Sequence, residues 1–384
     1  MTTRTGRVNA LPAFALVVAC AWSAPAVAEG WQTFGDARLL FFASERQARD
    51  GSETKDEGAQ LRLRLGAETG LGDHWLLRGR AAARFTTDQD RSRFWLKSWG
   101  PSRTGLEDGD ATVDQLFLRY EAEGGDWSVR IGRFQSNFTL ADLTTKSLDR
   151  NDSSNVAITW TDGVHWRQAL TPAWQSHLIL QGNASRGSGM TARVPLSFDD
   201  DDSRVTVFGA LESTERWGPV KQRVISMTWI PAALATDGIS APRRQDYVAL
   251  TARAAAEWPI GDAGMRGLLG VEFGYAPNTP QNTVMNSGDD GSAGGTAKQF
   301  AMTLFDIAPG HDLGFVYGVL NPGWLISPNY RPNDLALEIR YHWRISKTLG
   351  LESRLRRREE RQLPSSAERP RIDDDFYLRF SLRF

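Results

Sequence analysis

Residues 374–384 read DDFYLRFSLRF, and this stretch decides how the chain folds. Its apolar side chains are spaced by two residues, with polar or charged side chains between most of them; they are Phe376, Leu378, Phe380, Leu382 and Phe384. A period of two is that of a β-strand, whose successive side chains point to opposite faces. Because chain ends usually fray, a strand at this position predicts a partner that holds it.

The same alternation recurs along the chain. In residues 248–258 an apolar face lies opposite Thr251, Arg253 and Glu257, and residues 335–345 repeat the pattern. Each such segment has about ten residues or slightly more, which is the length that crosses a membrane when the strand is tilted. After the N-terminus no apolar run approaches about 20 residues, which excludes membrane-spanning helices.

Short turns and long polar loops alternate between these segments. The long loops are predicted at 43–57, 88–110, 136–161, 186–201, 231–245, 276–296, 321–333 and 362–372. The segments between them number sixteen, and an even number of strands with short turns on one side is typical of a bacterial outer-membrane barrel. We therefore predict an all-β fold for residues 29–384: a transmembrane antiparallel β-barrel of about 16 strands, with short periplasmic turns and long extracellular loops. In a closed sheet the terminal strand would pair with the first one.

One segment fits two structures. Residues 349–362, LGLESRLRRREERQ, alternate as a strand does, but their glutamates and arginines also allow the i,i+4 pairs of a helix. We interpret the segment as a strand, because removing it would leave an odd number of strands.

The N-terminus predicts export. Arg4 and Arg7 precede an apolar run, and residues 26–28 form an Ala-Val-Ala cleavage site, so residues 1–28 are expected to be a signal peptide. Cys20, the only cysteine, follows a lipobox-like sequence, so a lipid-anchored N-terminus is an alternative. If Cys20 leaves with the signal peptide, the mature chain has no cysteine for disulfides or metal ligation.

Charge is separated between the faces of the strands. The formal net charge is −1, and losing Arg4 and Arg7 with the signal peptide leaves −3, which makes nucleic acid an improbable partner. Fifteen arginines fall on inward positions that carry six acids, which predicts an excess of nine positive charges on the wall. The pore-lining candidates among them are Arg62, Arg64, Arg78, Arg80, Arg84, Arg119, Arg130, Arg340, Arg344, Arg354 and Arg356.

Sixteen strands enclose a lumen wide enough for water. Guanidinium groups in such a lumen stay charged and present donors to passing anions. The prediction is a channel for passive diffusion of small hydrophilic solutes that prefers anions. The alternative for any single arginine is that it only pairs with inward acids and stiffens the wall.

In layout the chain resembles the sixteen-stranded porins of Gram-negative bacteria: it has a signal peptide, sixteen strands, a long third loop at 136–161 and a final Phe384. Two stretches, WSVRIGRFQSNF (127–138) and TDGVHW (161–166), are similar to stretches of anion-selective and phosphate-type porins. The chain lacks the compact acidic constriction motif of general porins and the lysine-rich wall of phosphate porins.

The resemblance implies several properties of the protein. It implies location in the outer membrane among its lipids and lipopolysaccharide, assembly machinery that reads Phe384, and a homotrimer. It also implies that the third loop folds into the barrel and that its acids face wall arginines on strands two to four and fourteen to fifteen. The candidates for this constriction are Asp142, Lys146, Asp149, Arg150 and Asp152.

Two other functions stay open at this point. A barrel hydrolase of the phospholipase type would need a serine near His165 and His177 on the outer, lipid-facing surface. A structural or adhesive barrel would have its lumen plugged by loops. No phosphate loop, nucleophile elbow or HExxH pair occurs, so no cofactor, metal or catalytic residue is predicted.

Overall fold

The computed structural model describes residues 30–86, 95–96, 110–152, 158–183, 193–199, 201–237, 244–261 and 264–384. The predicted signal peptide and Cys20 lie outside the described residues. So do the inner parts of the long loops predicted at 88–110 and 186–201.

Sixteen strands form one sheet in which sequence neighbours pair antiparallel. They are β1 Trp31–Gln47, β2 Glu53–Gly70, β3 Trp75–Thr86, β4 Asp110–Glu121, β5 Trp127–Phe134, β6 Thr161–Thr171, β7 Trp174–Gly182, β8 Val205–Ser213, β9 Val220–Leu234, β10 Gln245–Ile260, β11 Met265–Tyr275, β12 Thr296–Ala308, β13 His311–Leu320, β14 Asp334–Arg344, β15 Leu349–Glu360 and β16 Ile372–Arg383. A two-residue strand, Trp95–Leu96, pairs in parallel with the start of β4. One 3₁₀ turn, Asp201–Arg204, and one short α-helix, Asn282–Met285, are the helical segments of the described chain. Neither is long and apolar enough to cross a membrane.

The sheet closes because β1 pairs with both β2 and β16. Leu39 lies opposite Phe380 of β16 and opposite Leu61 of β2. Beyond the strand, Phe384 exchanges two backbone hydrogen bonds with Gly35, at 2.7 and 3.1 Å. The Phe384 ring occupies the space where a Cβ of Gly35 would lie, so this close approach needs glycine. The terminal alternation is thus that of a strand held by the first strand, as predicted.

Burial alternates along the strands in the predicted sense. In β10, Leu250 and Trp258 are exposed on the outer face, whereas Thr251, Arg253 and Glu257 are buried on the inner face. Aromatic side chains gather on the outer surface near the short turns, where the ring of Tyr120 lies 4.9 Å from that of Trp75 and 5.0 Å from that of Trp127. An apolar outer band edged by aromatic rings is typical of barrels that face lipid.

The largest apolar core lies inside the barrel. It packs inward side chains of strands between β9 and β14 against three loop segments, which contain Leu148, Leu196 with Phe198, and Trp324 with Tyr330. Beside these strands the lumen is therefore partly filled with protein.

Both boundaries of the first predicted long loop differ from the prediction. Residues 43–57 were expected to be a loop, but β1 continues to Gln47 and β2 starts at Glu53, which leaves a turn at 48–52. The polar ends of both strands still satisfy their backbone groups in the ladder, so the hairpin extends past the apolar band.

The segment 349–362, for which a helix was the alternative, forms β15.

Candidate functional site: an arginine-lined passage beside the third loop

The third loop leaves the wall after β5 and returns at β6 through a narrow neck. Asp152 closes this neck, because its carboxylate accepts hydrogen bonds from the backbone N–H and hydroxyl of Ser136, both at 3.0 Å, and from the hydroxyl of Thr161 at 2.7 Å. The backbone N–H of Phe138 also donates to the carbonyl of Arg150 at 3.0 Å. A neck held in this way directs the intervening residues into the lumen.

The tip of the loop is docked on the far wall, from β9 to β14. The Nζ of Lys146 lies 2.7 Å from a carboxylate oxygen of Glu338, and the backbone N–H of Leu148 donates to Glu272 at 3.0 Å. On the same wall Arg253 donates to the carbonyl oxygen of Phe138. The loop thus crosses the barrel and divides the lumen.

A cavity of about 780 Å³ remains between the third loop and the wall formed by β13 to β16 and β1. Its basic lining residues are Arg38, Lys146, Arg340, Arg344, Arg354, Arg356, Arg379 and Arg383, and its acidic ones are Asp36, Asp142, Asp312 and Glu352. Eight basic against four acidic side chains give this lining a net charge of +4 when all are ionised.

Carboxylates just behind the lining lower this excess. Glu338 accepts a hydrogen bond from Arg340 at 2.6 Å besides its contact with Lys146. Asp375 pairs with Arg354, and with Arg356 at 2.7 Å. Asp306 pairs with Arg344, and counting these three acids leaves +1. The lining stays positive in either count.

Burial shifts the pKa of both ionisable loop residues in the passage. Burial is the largest influence on the ammonium of Lys146 and, with the nearby arginines, outweighs Glu338, so that the pKa of Lys146 falls to about 7. Burial of Asp142 raises the pKa of its carboxyl to about 6, although the backbone N–H of Thr145 donates to it at 2.7 Å. Both side chains therefore titrate near neutral pH.

The predicted pore-lining arginines separate into two groups. Those of β14 and β15 line the cavity; they are Arg340, Arg344, Arg354 and Arg356. The predicted arginines of β2 to β5 do not line it; they are Arg62, Arg64, Arg78, Arg80, Arg84, Arg119 and Arg130.

The second group is engaged with neighbours on its own wall. Arg62 is fully buried and donates to Asp36 at 2.7 Å, while Arg64 and Arg80 share the buried Asp114 at 2.9 and 2.8 Å. Arg78 pairs with Glu68 at 2.8 Å, and Arg119 lies 3.6 Å from Glu121. Arg130 stacks over the ring of Phe117. Arg84 lies opposite Arg62 in the ladder. For this group the structure agrees with the alternative that the arginines stiffen the wall.

The constriction candidates of the third loop also separate. Asp142 and Lys146 line the cavity. Asp149 does not face the arginines as expected: it is buried and accepts hydrogen bonds from Ser226 and Thr228, both at 3.2 Å. Asp152 closes the neck of the loop, and Arg150 donates to Gln181 at 2.7 Å. These three side chains anchor the loop because the surrounding wall is polar enough to bind them.

The expected excess of nine wall charges leaves out inward acids and also the inward Arg38 of β1. Asp36 and Asp114 pair with arginines of β2 and β3, and Glu272 lies 3.3 Å from Arg253. On β16, Asp373 pairs with Arg331 of the loop 321–333, and Asp375 pairs with Arg356 of β15. The alternation of β16 would have placed Asp373 and Asp375 inward. Asp114 could not be assigned in this way, because the register shifts between Arg80 and Ala81 where β3 meets β4.

His165 and His177 point into the barrel, not to the outer surface that the hydrolase alternative requires. Their ring nitrogens are 3.1 Å apart, and His177 also lies 3.4 Å from Glu212. In the described residues no cluster of three or more histidine, cysteine or acidic side chains could hold a metal ion. The pair therefore does not occupy the lipid-facing position that the hydrolase alternative requires.

Comparison with known proteins defines the class of fold. No protein-family model matches the chain, and none of the curated proteins matches it in sequence. Among solved structures, OprB of Pseudomonas putida matches with a TM-score of 0.60 and 12% identity, covering 92% of this chain and 94% of that chain. The protein therefore has the fold of the outer-membrane porins.

Two further structures extend the likeness to different kinds of porin. The outer-membrane channel DcaP of Acinetobacter baumannii matches with a TM-score of 0.54 and 14% identity, covering 92% of this chain and 97% of that one. An anion-selective porin from Comamonas acidovorans matches with a TM-score of 0.52 and 10% identity, over 92% and 99%. At these identities the likeness concerns the fold alone.

Proposed function

We propose that the protein is an outer-membrane porin, a water-filled channel through which small hydrophilic solutes diffuse passively, with a preference for anions. The observation that carries this proposal is the lining of the cavity beside the third loop, with eight basic and four acidic side chains. The porin fold supports the location and the channel class.

The preference follows from where the arginines lie. Arg354 and Arg356 occupy alternate positions of β15, so both project from its inner face into the cavity. Guanidinium groups stay charged at any physiological pH. An anion that enters the cavity passes these groups, whereas a cation meets net repulsion.

Reversal potential tests the selectivity. The purified protein is incorporated into planar bilayers, and the zero-current potential is measured under a KCl gradient. A potential displaced toward that of chloride supports the proposal. A potential displaced toward that of potassium would show that the carboxylates of the passage and loops control the field instead.

The remaining parts of the proposal concern assembly. The signal peptide at 1–28 would bring the chain to the outer membrane, Phe384 would be read by the assembly machinery, and three barrels would associate among lipopolysaccharide. Chemical cross-linking in isolated outer membranes tests this association. A trimer-sized product supports it, and a product no larger than the monomer contradicts it.

One observation favours a second function, that of a plugged structural barrel. Loop residues Leu148 and Trp324 fill part of the lumen with apolar side chains. Single-channel recording separates the two functions, because a plugged barrel passes no current in a bilayer in which a porin shows discrete conductance steps.

A further inference from the structure

The inner segment of the third loop is bound along its backbone by side chains. Ser147 donates its backbone N–H to Oδ1 of Asn329 at 3.0 Å, and its carbonyl accepts from the hydroxyl of Ser327 at 2.9 Å. Leu148 donates its N–H to Glu272 at 3.0 Å, and its carbonyl accepts from the indole N–H of Trp324 at 3.0 Å. All four backbone polar groups of these two residues are thus satisfied without a β-ladder.

Three of these four bonds come from one other loop, residues 321–333. Its Trp324 and Leu325 are completely buried, and Leu325 is itself held by a hydrogen bond from its backbone N–H to the hydroxyl of Tyr247 at 2.9 Å. Buried backbone groups need partners. The third loop can therefore move away only if loop 321–333 moves with it or if these groups lose their bonds.

Asn329 lies at the centre of this contact. Its Oδ1 accepts a second hydrogen bond, from Nδ2 of Asn151 at 3.0 Å, so two donors on the third loop converge on one acceptor. Asn329 also lines the cavity, together with Asn151 and Lys146. A displacement of this contact would change the cross-section of the passage directly.

We infer that loop 321–333 positions the third loop and so sets the width of the passage, with Asn329 as the positioning residue. The effect on the width of the passage rests on the proposed channel function, whereas the positioning of the third loop by loop 321–333 does not. The third loop is then a fixed element whose position depends on a loop more than 170 residues later, because Asn329 is 182 residues from Ser147.

Two substitutions at Asn329 separate the role of the acceptor oxygen from the role of the rest of the side chain. N329A removes the acceptor, which leaves the buried backbone N–H of Ser147 without its partner and leaves Nδ2 of Asn151 with its bond to the carbonyl of Thr145 at 2.6 Å. Loss of the Ser147 bond should raise the population of displaced loop by a factor of about 5 to 30. N329D keeps an acceptor oxygen for both donors but adds a negative charge to the passage. N278A is the matched control, because Asn278, in a different loop, donates to the exposed backbone carbonyl of Asp246 at the start of β10.

Hydrogen exchange gives a readout that does not require conduction. In refolded protein, the backbone amides of residues 147–151 are expected to exchange about 5 to 30 times faster in N329A than in wild type, with wild-type rates in N329D and N278A. Equal exchange in N329A and wild type would overturn the inference, and so would equally fast exchange in N329A and N329D. If N329A fails to fold, S327A, which removes a single donor, is measured against the same criteria.

Bilayer recording tests the consequence for the passage. N329A is expected to show added conductance substates, whereas N329D keeps the wild-type conductance and loses part of the anion preference. A wild-type protein that passes no current would contradict the proposed function while exchange still tests the contact. Wild-type conductance in N329A together with fast exchange would show that the loop does not set the width.

Discussion

At the scale of single residues, the passage differs from a simple arginine wall because two of its charges belong to the loop. Lys146 faces Glu338, Arg340, Arg354 and the ring of Tyr330, whose centroid lies 4.9 Å from its Nζ. Asp142 is buried nearby on the same loop. Since burial brings both pKa values toward neutrality, the loop changes charge within the physiological range of pH.

Anion preference should therefore rise as the pH falls. The lowered pKa of Lys146, about 7, means that its ammonium gains a proton below that pH, and the raised pKa of Asp142, about 6, means that its carboxylate is neutralised below that value. Each step adds one positive charge, which at about 4 Å in water is worth about 1 kcal/mol. Reversal potentials from pH 8 to pH 5 measure the change.

Variants assign the two steps. His342 also lines the cavity, so the measurements use an H342Q background. K146M should remove the change near pH 7, and D142N the change near pH 6. A pH dependence that survives in the K146M/D142N double variant would contradict the assignment.

Arginines inside and outside the passage should differ in their effect. R354A/R356A removes two guanidinium groups from the lining, and loss of a charge within about 4 Å of a passing ion lowers the ratio of anion to cation permeability by a factor of about five. R78A/R119A removes two arginines that pair with Glu68 and Glu121 outside the cavity. Reversal potentials compare the two variants, and an equal loss in both would mean that the field is not local to the passage.

At the scale of the elements, alternation along single strands was sufficient to predict the barrel. The apolar face of residues 335–345, for example, is the exposed outer face of β14, ending at Trp343. Strand ends were less predictable, since β1 and β2 extend through polar residues that give no apolar signal. A period of two reports which side of a strand faces lipid, but not where pairing stops.

The candidate site was less predictable for a different reason. Asp142 and Asp149 are equivalent in the sequence, yet one lines the passage and the other binds Ser226 and Thr228 of β9. Which of the two aspartates lines the passage depends on how the loop crosses the lumen and meets strands far away in the chain. The hydrogen-bonding side chains of residues 321–333 carry no local signal for the third loop either, because they act across more than 170 residues.

Arginine substitutions at neighbouring positions of β16 should change the stability of the barrel by different amounts. Phe380 faces outward between Leu39 and Leu351, whereas Ser381 faces the cavity. F380R places a charge in lipid and should lower the free energy of unfolding by up to about 2 to 4 kcal/mol, the cost at the bilayer midplane, while S381R should leave it nearly unchanged. Urea unfolding of protein refolded in lipid vesicles measures both, and comparable losses would contradict the assigned faces.

At the scale of the whole molecule, charge is concentrated on one side of the lumen. The apolar core packs on β9 to β14 with Leu148 and Trp324, whereas the charged cavity borders β13 to β16 and β1 and so meets the core at β13 and β14. Closure between β1 and β16 therefore falls within the wall of the passage. The strands whose pairing completes the barrel also carry Arg38, Arg379 and Arg383 into the cavity.

A field of this origin should be screened by salt. The Debye length is about 10 Å at 0.1 M ionic strength and about 3 Å at 1 M, so the charged lining acts across the passage at low salt and only at close range at high salt. The ratio of chloride to potassium permeability should therefore fall as KCl is raised from 0.1 to 1 M, and R354A/R356A should show a smaller decrease. Reversal potentials at a constant concentration ratio measure both. A preference that stays constant with salt would instead indicate direct binding of the anion, because contact with a guanidinium is screened much less than action at a distance.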